Sequence, residues 1–243
     1  MGQGFSHSGD TQPVDDPTIV AFGGFRLFDA EHRGFAAELV RMTGKDRPRA
    51  CFLPQASNER DDYIVAFYEA FSPLAGCTYV VLNPWPEEDW RERITGADIV
   101  FVGGGNTANM LAVWRVHGVP EVLREAWEGG TIMCGSSAGM ICWFEAGVTD
   151  SFGPQLDGME DGLGFLPGSA CPHYDGEELR RPRYHELVRG GFPGGYAADD
   201  GVGLVFEDTE LAEAIRVLPG KAAYRVELVD GEVVETPIPA RLL

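Results

Sequence analysis

From residue 18 onward, short unbroken apolar runs alternate with segments whose apolar residues recur at helical spacing. The first run, over 18–22, ends in Gly23-Gly24 and is followed by a helical pattern over 31–42. The unit then repeats: a strand over 50–53 closed by Pro54, a helix over 61–71, a strand over 78–82, a short helix over 87–94 and a strand over 99–102. Gly103-Gly104-Gly105 closes that strand, helices open over 107–113 and 120–127, and a further apolar run, Thr131-Ile132-Met133-Cys134, precedes the helix-compatible Met140-Ile141-Cys142-Trp143-Phe144. Continuous apolar strands separated by amphipathic helices predict a mostly parallel sheet covered on both faces, the doubly wound α/β class. Ligands of such sheets collect beyond the carboxyl ends of the strands, where the Gly23-Gly24 loop, the 103–106 loop and residues 135–139 should converge.

The character changes toward the carboxyl end. Segments 204–206, 214–218, 223–228 and 233–235 read as strands, with Asp230-Gly231 as the hairpin turn between the last two. They are expected to extend the sheet rather than form a separate unit, so residues 17–243 should be a single domain. Residues 1–16, rich in Gly, Ser, Asp and Gln, read as a disordered tail. The start Met1-Gly2-Gln3-Gly4-Phe5-Ser6 matches an N-myristoylation pattern, which we take as coincidence.

The composition narrows the function classes. The chain has 243 residues and is 44% hydrophobic, enough for a full core. A net charge of −19 would repel nucleic acid and anionic membranes, so neither is an expected partner. No run approaches the ~20 apolar residues of a membrane span, and the polar N-terminus is unlike a signal peptide. Cys51, Cys77, Cys134, Cys142 and Cys171 form an odd set without a C-x-x-C pair and read as reduced core residues of a cytoplasmic protein. No His/Asp/Glu grouping has the spacing of a metal site, and no cofactor is expected. A homodimer is the assembly allowed for.

Gly135-Ser136-Ser137-Ala138-Gly139 spells G-x-S-x-G between an apolar strand and a helix-compatible stretch, the signature of a nucleophile elbow. Small flanking residues permit the sharp turn, and the N–H of Ala138 would face an oxyanion formed on a substrate attacked by Ser137. The same five residues could also be a plain turn or a phosphate-holding loop. A serine nucleophile needs a base. His7 lies in the tail, His32 opens a helix, His117 lies between helices and His185 sits in a charged helical stretch. His173, in Ala170-Cys171-Pro172-His173-Tyr174-Asp175-Gly176, falls at a strand end expected on the same rim as Ser137. For the acid, Asp199-Asp200-Gly201 precedes the 202–206 strand, although two aspartates before a glycine also suit a turn or a cation site. The order Ser, His, Asp differs from the Ser, Asp/Glu, His order of the α/β-hydrolases.

These motifs together carry a resemblance. Val102-Gly103-Gly104-Gly105-Asn106-Thr107, the 135–139 elbow, Pro172-His173 and Asp200-Gly201 occur in the order and approximate spacing of the peptidase E family of serine peptidases, the aspartyl dipeptidases related to cyanophycinases. The resemblance runs over 18–206 and implies a flavodoxin-like or class I glutamine amidotransferase-like sheet with a C-terminal β extension. It implies catalysis by Ser137, His173 and Asp200, with Asp199 as the fallback acid, because the founding enzymes carry glutamate at that position. It makes Gly105 the second oxyanion donor beside Ala138, with Asn106 fixing that loop or meeting substrate. An aspartate that meets the substrate's amino group is matched by Asp150, two residues nearer the serine than in the founding enzymes.

The expected activity is hydrolysis of short peptides with a free N-terminus through an acyl-enzyme. A cyanophycinase-like action on β-aspartyl-arginine material and a catalytically silent binding module are the alternatives. An acidic specificity would need a cation, and Arg180, Arg181, Arg183 and Arg189 are the candidates, against a reading in which they form a solvated helix face. Trp143 and Phe144 are expected in the core rather than in a pocket.

Overall fold

The computed structural model describes residues 16–243. The myristoylation-like start, His7 and all but the last residue of the expected tail lie outside the described residues. Strands β1 (Thr18–Phe22), β2 (Arg49–Leu53), β3 (Gly76–Tyr79), β4 (Ile99–Val102) and β5 (Ile132–Ser136) form a parallel array in the order β1-β5-β4-β2-β3. Their alternate side chains enter different cores. Ile19 and Ala21 of β1, like Val100 and Val102 of β4, pack with Trp90, Met110, Leu111, Trp114 and Leu123, from the helices α3 (Trp90–Thr95), α4 (Thr107–His117) and α5 (Val119–Glu128). Val20 and Phe22, like Ile99 and Phe101, pack on the opposite face with Phe35, Phe67 and Phe71 from α1 (Arg33–Met42) and α2 (Asp61–Phe71). A strand apolar at every position is thus the signature of burial on both faces.

Of the C-terminal strands, β10 (Val202–Glu207) pairs antiparallel with β1, β11 (Glu210–Arg216) pairs antiparallel with β10, and β14 (Ala240–Leu242) completes that edge of an eight-stranded sheet. A second, six-stranded sheet was not foreseen. It contains β6 (Phe144–Thr149), β7 (Asp157–Met159), β8 (Leu166–Cys171), β9 (Gly195–Ala198), β12 (Ala223–Val229) and β13 (Glu232–Ile238). The C-terminal extension is therefore shared between two sheets. Strand periodicity reports which faces are covered but not which strand lies alongside. The expected hairpin joins β12 and β13, with Asp230 and Gly231 both at positive φ, 52° and 85°. Phe144, Leu166 and Ala198 of the second sheet share a core with Leu204 and Phe206 of the first. On the far side, α7 (Arg180–Arg189) lays Tyr184 and Val188 against Val148, Cys171 and Val226.

The elbow helix is shorter than the apolar pattern suggests. It is a single turn, α6 (Ala138–Ile141), and the next strand already begins at Phe144. Trp143 and Phe144 are fully buried, as expected, but in an all-apolar stretch periodicity cannot separate helix from strand. The cysteines are free, four buried and Cys77 half-buried. Burial pushes the thiol of Cys134, next to the elbow, far above its ordinary value, as suits a core residue. Among the described residues no helix is long and apolar enough to cross a membrane.

Candidate active site

Because β1, β5 and β4 are adjacent and parallel, the loops after them share one rim. The turn after β5 is possible only with glycine at both ends of the motif. A Cβ on Gly135 would lie 2.5 Å from the carbonyl oxygen of Gly139, and one on Gly139 would lie 2.3 Å from that of Val102. Between them Ser137 takes φ 60° and ψ −109°, a conformation that costs an L-residue on the order of 1–3 kcal/mol and is sustained by its surroundings. Its N–H donates to Phe22 O at 3.2 Å. The two serines of the motif are distinguished by their surroundings: Ser136 is buried and its Oγ accepts from the Phe25 N–H at 2.6 Å, whereas Ser137 is half-buried; both line one cavity, but Ser137 also lines a second. Ala138 opens α6, so its N–H has no carbonyl one helical turn earlier to donate to.

The 103–106 loop lies against this turn, a Cβ on Gly104 falling 3.3 Å from Ser137 Cβ. Gly105 has φ +138°, and a Cβ there would strike Ala56 O at 2.1 Å, so no other residue fits. Asn106 caps α4, its Oδ1 accepting from the Asn109 N–H at 2.8 Å, and its Nδ2 donates to Ser151 O at 2.9 Å. The side chain thereby ties the loop carrying Asp150 to the loop carrying Gly105.

His173 and Asp200 arrive from the second sheet. His173 follows β8 at φ 53°, its N–H donating to Gly23 O at 3.2 Å. Asp200 lies where the chain crosses from β9 of one sheet to β10 of the other, bridged to Gly24. The two side chains meet, with His173 Nδ1 2.6 Å from Asp200 Oδ1. Asp200 Oδ2 accepts from Arg26 Nη2 at 2.7 Å, and the Asp200 N–H donates to Asp175 Oδ1 at 3.0 Å. Burial opposes the charge on Asp200, but the bond to and charge of His173, followed by those of Arg26, outweigh it and hold the carboxyl at about 2. Asp199 is engaged elsewhere. Its Oδ2 accepts from the Ala222 N–H at 2.8 Å, and burial pushes it up to about 6, with Asp175 adding to the rise.

Ser137, His173 and Gly105 line two cavities at once. One, of about 340 Å³, is walled by the 24–29 loop, Tyr63 and Phe101. The other, of about 300 Å³, is completed by Asn106, Asp150, Glu177 and Arg180. The arrangement offers a hydroxyl on a strained turn, an imidazole oriented by an ionised carboxylate, and N–H groups at the elbow, which is the equipment of acyl transfer.

The model of peptidase family S51 matches residues 19–214. The chain belongs to that family. It is a serine peptidase of the peptidase E group, an α/β protein of the flavodoxin-like kind. Its sequence is 43% identical to the uncharacterized peptidase YgaJ of Bacillus subtilis strain 168 over 224 residues, 91% of this chain and 96% of that one. It is 28% identical over 152 residues to peptidase E of Shewanella denitrificans, covering 61% of this chain and 63% of that protein. The crystal structure of a peptidase from an acI-B1 Actinobacterium superposes with a TM-score of 0.66 at 13% identity, over 94% of this chain and 96% of the other, a likeness of fold.

In this peptidase the four arginines of α7 are largely committed. Arg180, 3% exposed, donates to Glu177 Oε2 and to Val148 O. Arg181 pairs with Glu235, and Arg183 with Glu186, Asp157 and the Leu156 carbonyl, while Arg189 is exposed at the helix end. Only Arg180 of the four lines a cavity beside Ser137. His32 is buried and its Nδ1 accepts from the Arg26 N–H at 3.0 Å. His185 is bonded to Tyr174 Oη at 3.0 Å. Sequence reasoning missed Arg26 and Asp175, the groups that grip Asp200. The Gly23-Gly24 loop was the available signal for Arg26, but nothing local to it points to a partner 174 residues away.

Proposed function

We propose that this peptidase is an exopeptidase or dipeptidase that hydrolyses short peptides with a free N-terminus through Ser137, His173 and Asp200. The observation that carries the reading is the joint placement of Ser137, at φ 60°, and His173 on one cavity wall, with His173 Nδ1 2.6 Å from Asp200 Oδ1. His173 takes the Ser137 proton as the hydroxyl oxygen attacks the scissile carbonyl. Asp200 holds the imidazole with its other nitrogen toward the serine and stabilises the imidazolium that forms. The N–H groups of Gly105 and Ala138 receive the oxyanion. His173 then protonates the leaving amine, and water, deprotonated by the same imidazole, resolves the acyl-enzyme. Asp150, on the polar cavity's wall, pairs with the substrate α-ammonium and so selects free amino termini.

The test is a dipeptide library with free and acetylated amino termini, combined with fluorophosphonate labelling. Turnover of free peptides by wild type, its loss in Ser137→Ala and His173→Ala, and label on Ser137 alone are the expected results. Equal cleavage of acetylated peptides would remove Asp150 from the account. Undiminished turnover by Ser137→Ala would overturn the mechanism.

A further inference from the structure

The two cavities that meet at Ser137 differ in chemistry. The one holding Asp150, Glu177 and Arg180 is polar. The one under the 24–29 loop is built from rings: Phe25 and Phe101 meet edge-to-face at 5.3 Å, and Phe28 meets Tyr63 in the same manner at 5.2 Å. Leu27 completes the wall. Phe25, Leu27 and Phe101 are buried at 4%, 6% and 0% exposure, so this wall is set by the core beneath it. Phe28 is instead 56% exposed at the same cavity, a large apolar ring left open to solvent. Its exposure and the apolar lining beside Ser137 both call for an apolar occupant.

We propose that the ring-lined cavity binds an aromatic or bulky aliphatic side chain adjoining the scissile bond, so that this peptidase selects apolar dipeptides over acidic ones. The inference rests on the peptidase reading of Ser137 and His173 given above. An acidic side chain would find little to hold it. The charged residues among the lining are Arg26 and Asp29. Arg26 already spends Nη2 on Asp200 and its side chain is 61% exposed, where a further ion pair is worth little. Asp29 carries the same sign as the incoming carboxylate, and the rings would strip its water without offering a donor. A benzyl or isobutyl group gains from the same surroundings. With the substrate ammonium directed to the polar cavity, an apolar side chain on the other side of Ser137 uses both halves of the site.

The experiment compares kcat/KM for two dipeptide series, X-Gly and Gly-X, with X as Phe, Leu, Ala or Asp, in wild type and Phe28→Ala. Phenylalanyl and leucyl peptides should exceed aspartyl peptides by at least about tenfold in one series, the usual scale for burying such groups. Phe28→Ala should narrow the ratio of phenylalanyl to alanyl peptides, mainly through KM, whereas a merely structural role would lower all substrates alike. A preference for aspartyl peptides, or equal rates across X, overturns the proposal. If no dipeptide is hydrolysed, the proposed function fails, and calorimetric binding of the same peptides to Ser137→Ala still decides this inference. Tighter binding of the Phe peptides supports it; tighter binding of the Asp peptides, or binding of neither, overturns it.

Discussion

Arg26 Nη2 sits 2.7 Å from Asp200 Oδ2 while Asp200 Oδ1 faces His173, so each oxygen of the carboxylate has its own partner. A carboxylate held at both oxygens cannot rotate away from the imidazole. Replacement by Arg26→Gln should lower kcat by about fivefold, the worth of roughly 1 kcal/mol for a partly exposed charge-assisted bond. Arg26→Lys should recover part of it, which steady-state kinetics would register as a kcat effect at similar KM.

The strain at Ser137 should be separable from its chemistry. Because φ 60° costs glycine little, Ser137→Gly should abolish turnover yet raise the melting temperature by roughly 2–4 °C, the shift expected from about 1 kcal/mol in a chain of this size. Calorimetric scans of the two proteins check this, and an unchanged or lower melting temperature would argue that the turn is not strained.

Gly24 makes room for the acid. A Cβ there would lie 2.0 Å from Asp200 Oδ1 and 3.2 Å from Asp200 Cα, so Gly24→Ala must displace the side chain that meets His173. The expected outcome is a loss of activity of about 100-fold or more, with a stability cost of about 1–3 kcal/mol from overpacking. Kinetics and denaturant melts on one preparation measure both.

The neighbouring aspartates should affect stability in opposite senses as pH changes. Asp200 lies at about 2, below its ordinary 3.8, so its contribution is present above pH 4 and lost as pH falls toward 2. Asp199 is raised from 3.8 to about 6, so its contribution is present below pH 4 and lost as pH rises through 6. Asp199→Asn keeps an oxygen for the Ala222 N–H and removes the buried charge. The variant should be more stable than wild type at pH 8, by on the order of 1–3 kcal/mol, with the gain vanishing near pH 4. Asp200→Asn should be less stable at pH 8. Melting curves between pH 3 and 8 test both signs.

Much of the site was legible in the chain because it is built from local rules. The all-apolar runs fixed which strands are covered on two faces, and the 103–106 loop, the elbow and the Gly23-Gly24 loop fell on one rim because adjacent parallel strands end there. The glycines at 105, 135 and 139 are dictated by backbone contacts, which leave a direct mark on residue type. Length and turn chemistry likewise located the Asp230-Gly231 hairpin.

What the chain could not disclose is whatever depends on partners distant in sequence. A strand's alternation does not say whether it joins the first sheet or the second, so the six-stranded sheet that delivers His173 stayed hidden. Which of the two aspartates meets His173 is decided by a crossing between sheets that turns the Asp200 carboxylate to His173 and that of Asp199 to Ala222. Arg26 and Phe28, from the loop after the first strand, and Tyr63, from α2, line a cavity with Ser137 only because the fold brings those distant segments together. Backbone sterics act between neighbours and are written into the sequence; side-chain pairing and cavity shape arise from packing distant segments, and the fold alone decides them.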